Sequence, residues 1–114
     1  MIEITLAKDD GERRLSLTVK GHAGYGEKGR DVVCAAVSIL TYTLAKNVDT
    51  ARERGESLDA SIRLDEGDAH ILCTAGDPDD YRSLLRVFCV IEEGYALLAE
   101  SYPHHVTLTS FGQA

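Results

Sequence analysis

A chain of 114 residues is sized for one domain with a modest core. Its formal net charge of -7 argues against the basic patch that non-specific nucleic-acid binding requires, so no direct nucleic-acid contact is expected; it suits a basic protein partner, or solubility alone. The opening MIEITLAKDD has neither the basic nor the apolar segment of a secretory signal, no apolar run approaches the roughly 20 residues of a membrane span, and three widely spaced cysteines do not make a disulfide framework, so a reducing cytoplasm is expected.

Ile2, Ile4 and Leu6 alternate with Glu3 and Thr5, the period of a half-buried strand. Asp9-Asp10-Gly11-Glu12 turns the chain, and Leu15, Leu17 and Val19 then alternate with Ser16, Thr18 and Lys20. Residues 2–20 therefore read as a hairpin with one apolar face, ending at Gly21-His22. This places His22 at a strand end, where a rigid element can present a reactive side chain.

Gly24, Tyr25, Gly26 and Gly29 form a glycine-rich loop after His22. From Asp31 the spacing becomes helical, with Val33, Val37, Leu40, Leu44, Val48 and Ala51 on one stripe. Asp31 suits the N-cap, and Gly55 after Arg52-Glu53-Arg54 suits the stop. Cys34 is then the third helical residue. A helix N-terminus carries partial positive charge and free N–H groups, which favour a thiolate over a thiol and offer donors for a developing oxyanion. Ser38 and Thr41 lie beside Cys34 on the helical wheel, at the edge of the buried stripe. Val32, Ile39 and Thr43 line a second side, which suggests packing against another helix, while Tyr42 falls opposite the main stripe. A His22–Cys34 pair would supply a nucleophile and a general acid. The spacing equally admits Cys34 as a small packed residue in an alanine-rich helix.

Leu58, Ala60, Ile62 and Leu64 alternate with polar residues, Glu66-Gly67-Asp68 turns the chain, and 69–75 pairs back as a second hairpin. His70 and Cys73, three apart on a strand, point to opposite faces and do not form a metal pair. Asp77 or Asp79 caps a second helix with Pro78 early in it. Tyr81, Leu84, Leu85, Phe88, Ile91, Tyr95 and Leu98 give its apolar stripe, with Cys89 beside it and Glu92 and Glu93 expected on a solvated face. After Pro103, His104 and His105 diverge on an extended segment, which leaves them unsuited to a shared metal. Val106, Leu108 and Ser110 then alternate as a last strand. The order β-β-α-β-β-α-β predicts an α+β two-layer sandwich, with two helices on one face of a mainly antiparallel five-stranded sheet.

Gly21-His22-Ala23, a loop, Gly29, Asp31 and Val33-Cys34-Ala35-Ala36-Val37-Ser38 resemble the two-part motif of the bacterial ribosomal-processing cysteine proteases. The resemblance extends in length and element order over residues 1–114, as one protease domain. It implies that His22 and Cys34 are the catalytic dyad, that Asp31 and Ser38 support or orient them, and that Gly24, Tyr25, Gly26 and Gly29 belong to the substrate loop. It implies a homodimer; from the residues themselves no metal, cofactor or membrane is expected. The implied substrate is the large-subunit ribosomal protein numbered twenty-seven, whose short N-terminal extension such enzymes remove after paired phenylalanines. Two other readings remain at this level. One is a non-enzymatic ribosome-associated binding module with Cys34 in its core. The other is a thiol redox sensor, which would want a resolving cysteine nearby.

Overall fold

In the computed structural model, which describes residues 1–112, seven elements follow one another. They are β1 (Ile2–Asp9), β2 (Arg14–Lys20), α1 (Val32–Glu53), β3 (Ser57–Asp65), β4 (Asp68–Ala75), α2 (Pro78–Ser101) and β5 (Val106–Phe111). The sheet order is β3-β4-β2-β1-β5. β5 runs parallel to β1, and every other neighbouring pair is antiparallel. This is the α+β sandwich expected from the alternation pattern.

Each strand of the first hairpin sends alternate residues inward. Ile2, Ile4 and Leu6 of β1 and Leu15, Leu17 and Val19 of β2 are buried beneath the helices. Val33, Val37, Leu44 and Val48 of α1 and Tyr81, Leu84, Phe88, Ile91 and Tyr95 of α2 close over them. The other sheet face carries polar residues such as Thr5, Thr18 and His70, with Thr18 Oγ1 and His70 Nδ1 3.3 Å apart. Cys73 points the other way, into the core, where burial pushes its thiol up to about 12.

The register brings one end of the molecule together. Lys20 of β2 pairs with Asp68 of β4, and with Glu3 of β1. Ile2 pairs with Val106, so β5 starts beside the start of β1. The end of β2, the β3–β4 turn and the residues just before β5 therefore meet at the same edge. Gly21 joins this edge to its neighbours by donating to the Gly67 carbonyl at 2.9 Å. It has φ +98, and a Cβ there would lie 2.3 Å from the Met1 carbonyl oxygen, so the turn out of β2 accepts only glycine.

Four local readings differ from the sequence pattern. The β1–β2 connection is the four-residue loop 10–13, in which Arg13 rather than Gly11 takes positive φ, at 52°. Val32, Ile39 and Thr43 do not pack on the second helix; Val32 and Ile39 are 58% and 63% exposed. The α1–α2 contact is made instead where Leu40 fills the space above Gly94 and where Thr41 and Tyr95 hydroxyls meet at 2.7 Å. α1 is long and apolar enough, by length and composition, to cross a membrane, contrary to the composition reading. Its buried stripe is nevertheless the cover of the sheet.

Glu92 is the fourth. It is not on a solvated face but turns inward, where its Oε1 accepts from Lys8 Nζ at 2.6 Å. Lys8 occupies an inward position of β1 with its side chain 2% exposed. Partial burial would raise the Glu92 carboxyl, but hydrogen bonds from Lys8 and Ser110 and the lysine charge hold it below its ordinary range. Glu92→Gln keeps an acceptor but strands the ammonium. A loss of about 2 kcal/mol is expected, below the figure for a fully buried pair because Glu92 reaches some solvent. Urea unfolding should show a lower midpoint with an unchanged slope; an unchanged midpoint would mean that the pair is not holding β1 to α2.

Candidate active site

The site is assembled around the start of α1. Asp31 is the N-cap, and its Oδ1 accepts from the Val33 and Cys34 N–H groups, each at 3.0 Å. Its Oδ2 accepts from the Tyr25 and Gly26 N–H groups at 3.0 and 3.1 Å. One carboxylate thus caps the helix and pins the glycine loop onto it. Burial pushes this carboxyl up, but the four N–H bonds outweigh burial and hold it below the ordinary 3.8. With both oxygens taken up by backbone amides, Asp31 acts as cap and loop anchor rather than as a hydrogen-bond partner of His22.

Cys34 follows as the third helical residue, half-buried at the edge of the core. Its Sγ accepts from the Ala23 N–H at 3.4 Å. The loop therefore returns to the helix at the thiol itself. The expected oxyanion donors at the helix start are engaged elsewhere: Val33 and Cys34 donate to the Asp31 side chain, and Ala35 donates to the Asp31 carbonyl at 3.0 Å. The amide that faces the sulfur belongs to Ala23, a contact that strand and helix periodicity do not reveal.

His22 stands at the exposed end of β2, and its ring lies over the β3–β4 turn. A Cβ at Gly67 would come within 2.7 Å of His22 Nε2, so the absence of a side chain at Gly67 makes the seat for the imidazole. His22 and Cys34 both line one cleft of about 730 Å³. Gly24, Gly26 and Gly29 border it, as does Ser38, one helical turn beyond Cys34. Tyr25 points elsewhere: its ring packs edge-on against Tyr102 and His105, with centroids 5.2 and 5.3 Å apart. A shallower hollow at the other end of β2, bordered by Asp10 and Arg14, holds neither the histidine nor the thiol.

Two parts of the cleft were missed from sequence. Tyr42 forms part of its wall, together with Thr41. The signal was present, because Cys34, Ser38, Thr41 and Tyr42 share a helix face at i, i+4, i+7 and i+8. Across from them, Asp65, Glu66 and Asp68 come from the β3–β4 turn, and Lys28 approaches Glu66 at 3.4 Å. That juxtaposition depends on strand pairing and has no local signature.

A thiol on a helix start and an imidazole on a strand end, facing one open cleft, are the parts of a thiol-dependent hydrolase. A family model described as cysteine protease Prp matches residues 1–107, and the chain belongs to that family. It is a cysteine protease. Among solved structures, SMU.848 from Streptococcus mutans is similar with TM-score 0.71 and 31% identity, over 99% of this chain and 96% of that one. The ribosomal processing protease Prp from S. aureus, with a covalently linked product peptide, has TM-score 0.70 and 21% identity, over 96% and 99% of the two chains. The same protease with a substrate peptide gives 0.67 and 19%, again over 96% and 99%. At these lower identities the S. aureus structures show the shared fold. No curated protein matched the chain.

Proposed function

We propose that this protein is a ribosomal-processing endopeptidase that removes a short N-terminal extension from a large-subunit ribosomal protein, cutting after an aromatic pair. The observation that carries the reading is the cleft shared by His22 and Cys34, with the Ala23 N–H directed at the sulfur. The Prp family and the S. aureus ribosomal processing protease of the same fold supply the substrate class. The Cys34 thiolate attacks the scissile carbonyl carbon. His22 takes the thiol proton and gives it to the leaving amine, and water then releases the acyl group from sulfur. Ile2, Val19, Ala69 and Tyr42 give the cleft apolar wall suited to an aromatic side chain, and Asp65, Glu66 and Asp68 give it an acidic side suited to basic residues of a ribosomal protein. Gating by the glycine loop falls to 27–30, because Ala23, Tyr25 and Gly26 are already tied down. The same reading has the enzyme working in the cytoplasm as a homodimer.

The test is a mass-spectrometric assay on the ribosomal protein bearing its extension, beside a version in which the aromatic pair is replaced by alanines. One cut after the pair is expected in the first and none in the second. Cutting that ignores the substitution would remove the aromatic specificity. No cut at all by folded enzyme on a substrate that binds would favour a binding module.

A further inference from the structure

Ala23 is gripped from both sides. Its N–H reaches Cys34 Sγ at 3.4 Å, and its carbonyl oxygen lies 2.8 Å from Nδ1 of His105. A carbonyl can only accept, so His105 Nδ1 must carry the proton, and the ring is the donor. Ala23 itself is 2% exposed, so water does not compete readily for either group. His105 is held in turn. Its N–H donates to the Tyr102 carbonyl at 2.9 Å, its carbonyl accepts from the Ile2 N–H at 2.8 Å, and Tyr25 packs edge-on to its ring. The imidazole thus stands on the junction of α2 and β5, with the His105 backbone held by the Tyr102 carbonyl and the Ile2 N–H rather than by the glycine loop.

We propose that His105 is a positioning residue of the protease: by holding the carbonyl of the Ala23–Gly24 peptide, it fixes the orientation of residue 23 and so aims the Ala23 N–H, on the peptide that joins it to His22, at Cys34 Sγ. An N–H directed at the sulfur favours thiolate over thiol, as a donor does for any anion. Ala23 has Gly24 on its far side, at φ +66, so the loop beyond offers little resistance to rotation of this residue. Without the His105 bond, the other hydrogen bonds that pin the loop to α1 beyond Ala23 are those to Asp31, at Tyr25 and Gly26, two and three residues further along. They hold the loop to the helix but do not set the direction of the Ala23 amide. The inference rests on the protease reading for its purpose, though not for its measurement.

The experiment reads thiol reactivity rather than proteolysis, so it stands whether or not the proposed substrate is cut. Alkylation of Cys34 by iodoacetamide is followed by mass spectrometry across pH in wild type, His105→Leu, His105→Asn and, as a neighbouring control, His104→Ala. The charged and titratable groups that face the thiol across the cleft are His22, Lys28, Asp31, Asp65, Glu66 and Asp68, and none of these is altered. His105→Leu should move the midpoint of alkylation up by about one pH unit, the scale of one weakened hydrogen bond to a charged group. His105→Asn, whose amide N–H stands at the same distance along the side chain as Nδ1–H, should restore the wild-type curve. His104→Ala should leave it unmoved. A wild-type curve in His105→Leu, or equal shifts in the Leu and Asn variants, would overturn the proposal. If His105→Leu does not fold, His105→Gln carries the comparison. Its donor lies one methylene too far out, so the same upward shift is expected, and an unshifted curve overturns the proposal.

Discussion

Cys34→Ala is expected to abolish peptide cleavage while leaving the fold in place. The loss should be at least about a thousandfold, because removal of a nucleophile leaves only binding and dipolar stabilisation. Cys34→Ser should lose nearly as much. A serine hydroxyl is far harder to ionise than a thiol, and the Ala23 amide and helix start that favour a preformed thiolate do little for an alcohol, so His22 would have to remove the proton during the attack itself. Stability should change by no more than about 1 kcal/mol, since Cys34 is half-buried at the rim of the core and alanine suits a first helical turn. Iodoacetamide gives an independent check. Cys73 is fully buried with its thiol pushed up to about 12, so it should not label in the native state. Cys89, half-buried on α2 and outside the cleft, serves as an internal reference. Rapid single labelling at Cys34, slowed at neutral pH in His22→Ala, is the expected pattern. Wild-type turnover in Cys34→Ala, or slow labelling of Cys34 beside Cys89, would make the cysteine a packing residue.

Much of this site could be read before the fold was known, because its parts carry local signals. Asp31 precedes an apolar stripe of helical period, and it caps α1 as that position implies. Asp77 with Pro78 does the same for α2. Alternation in β1 and β2 gives their buried faces, since one register of a two-residue period puts Ile2, Ile4 and Leu6, and likewise Leu15, Leu17 and Val19, on the same side. β3 is less clear. Its bulge between Ser57 and Asp59 leaves Leu58 73% exposed, although Leu58 fits the apolar alternation.

What was illegible is what depends on distant partners. Lys8 continues the inward alternation of β1 at a position where a charge reads as a strand end, and only Glu92, 84 residues away, makes its burial tolerable. His105 reads as one of two histidines on a connecting segment. Its bond to Ala23 spans 82 residues and follows from β5 lying parallel to β1, a topological fact without a sequence period. The apolar second side of α1 misled for the opposite reason: amphipathicity identifies a face that can be buried, not the element that will bury it.

Asp31 shows how closely the fold and the chemistry are joined, and Asp31→Ala should therefore damage both. Loss of the cap alone costs about 1 kcal/mol, and losing the charged acceptor of the Tyr25 and Gly26 N–H groups adds about 2 more. A total near 3 kcal/mol is expected by urea unfolding at neutral pH. Asp31→Asn, with one carbonyl oxygen left, can serve the helix pair or the loop pair but not both, and should fall between. Cleavage should drop at least tenfold in the folded Asn variant, because the glycine loop that borders the cleft beside Cys34 is then held to the helix by fewer bonds. The pH dependence has a definite sign. The folded carboxyl titrates below its ordinary 3.8, so the stability it supplies is fully present above that value and is lost as the pH falls through the lower, folded one. The stability gap between wild type and Asp31→Asn should accordingly be wide at pH 7 and narrow progressively below about pH 4. A gap that stays constant on acidification would mean that the negative charge of Asp31, as distinct from its oxygen atoms, does not hold the loop against the catalytic helix.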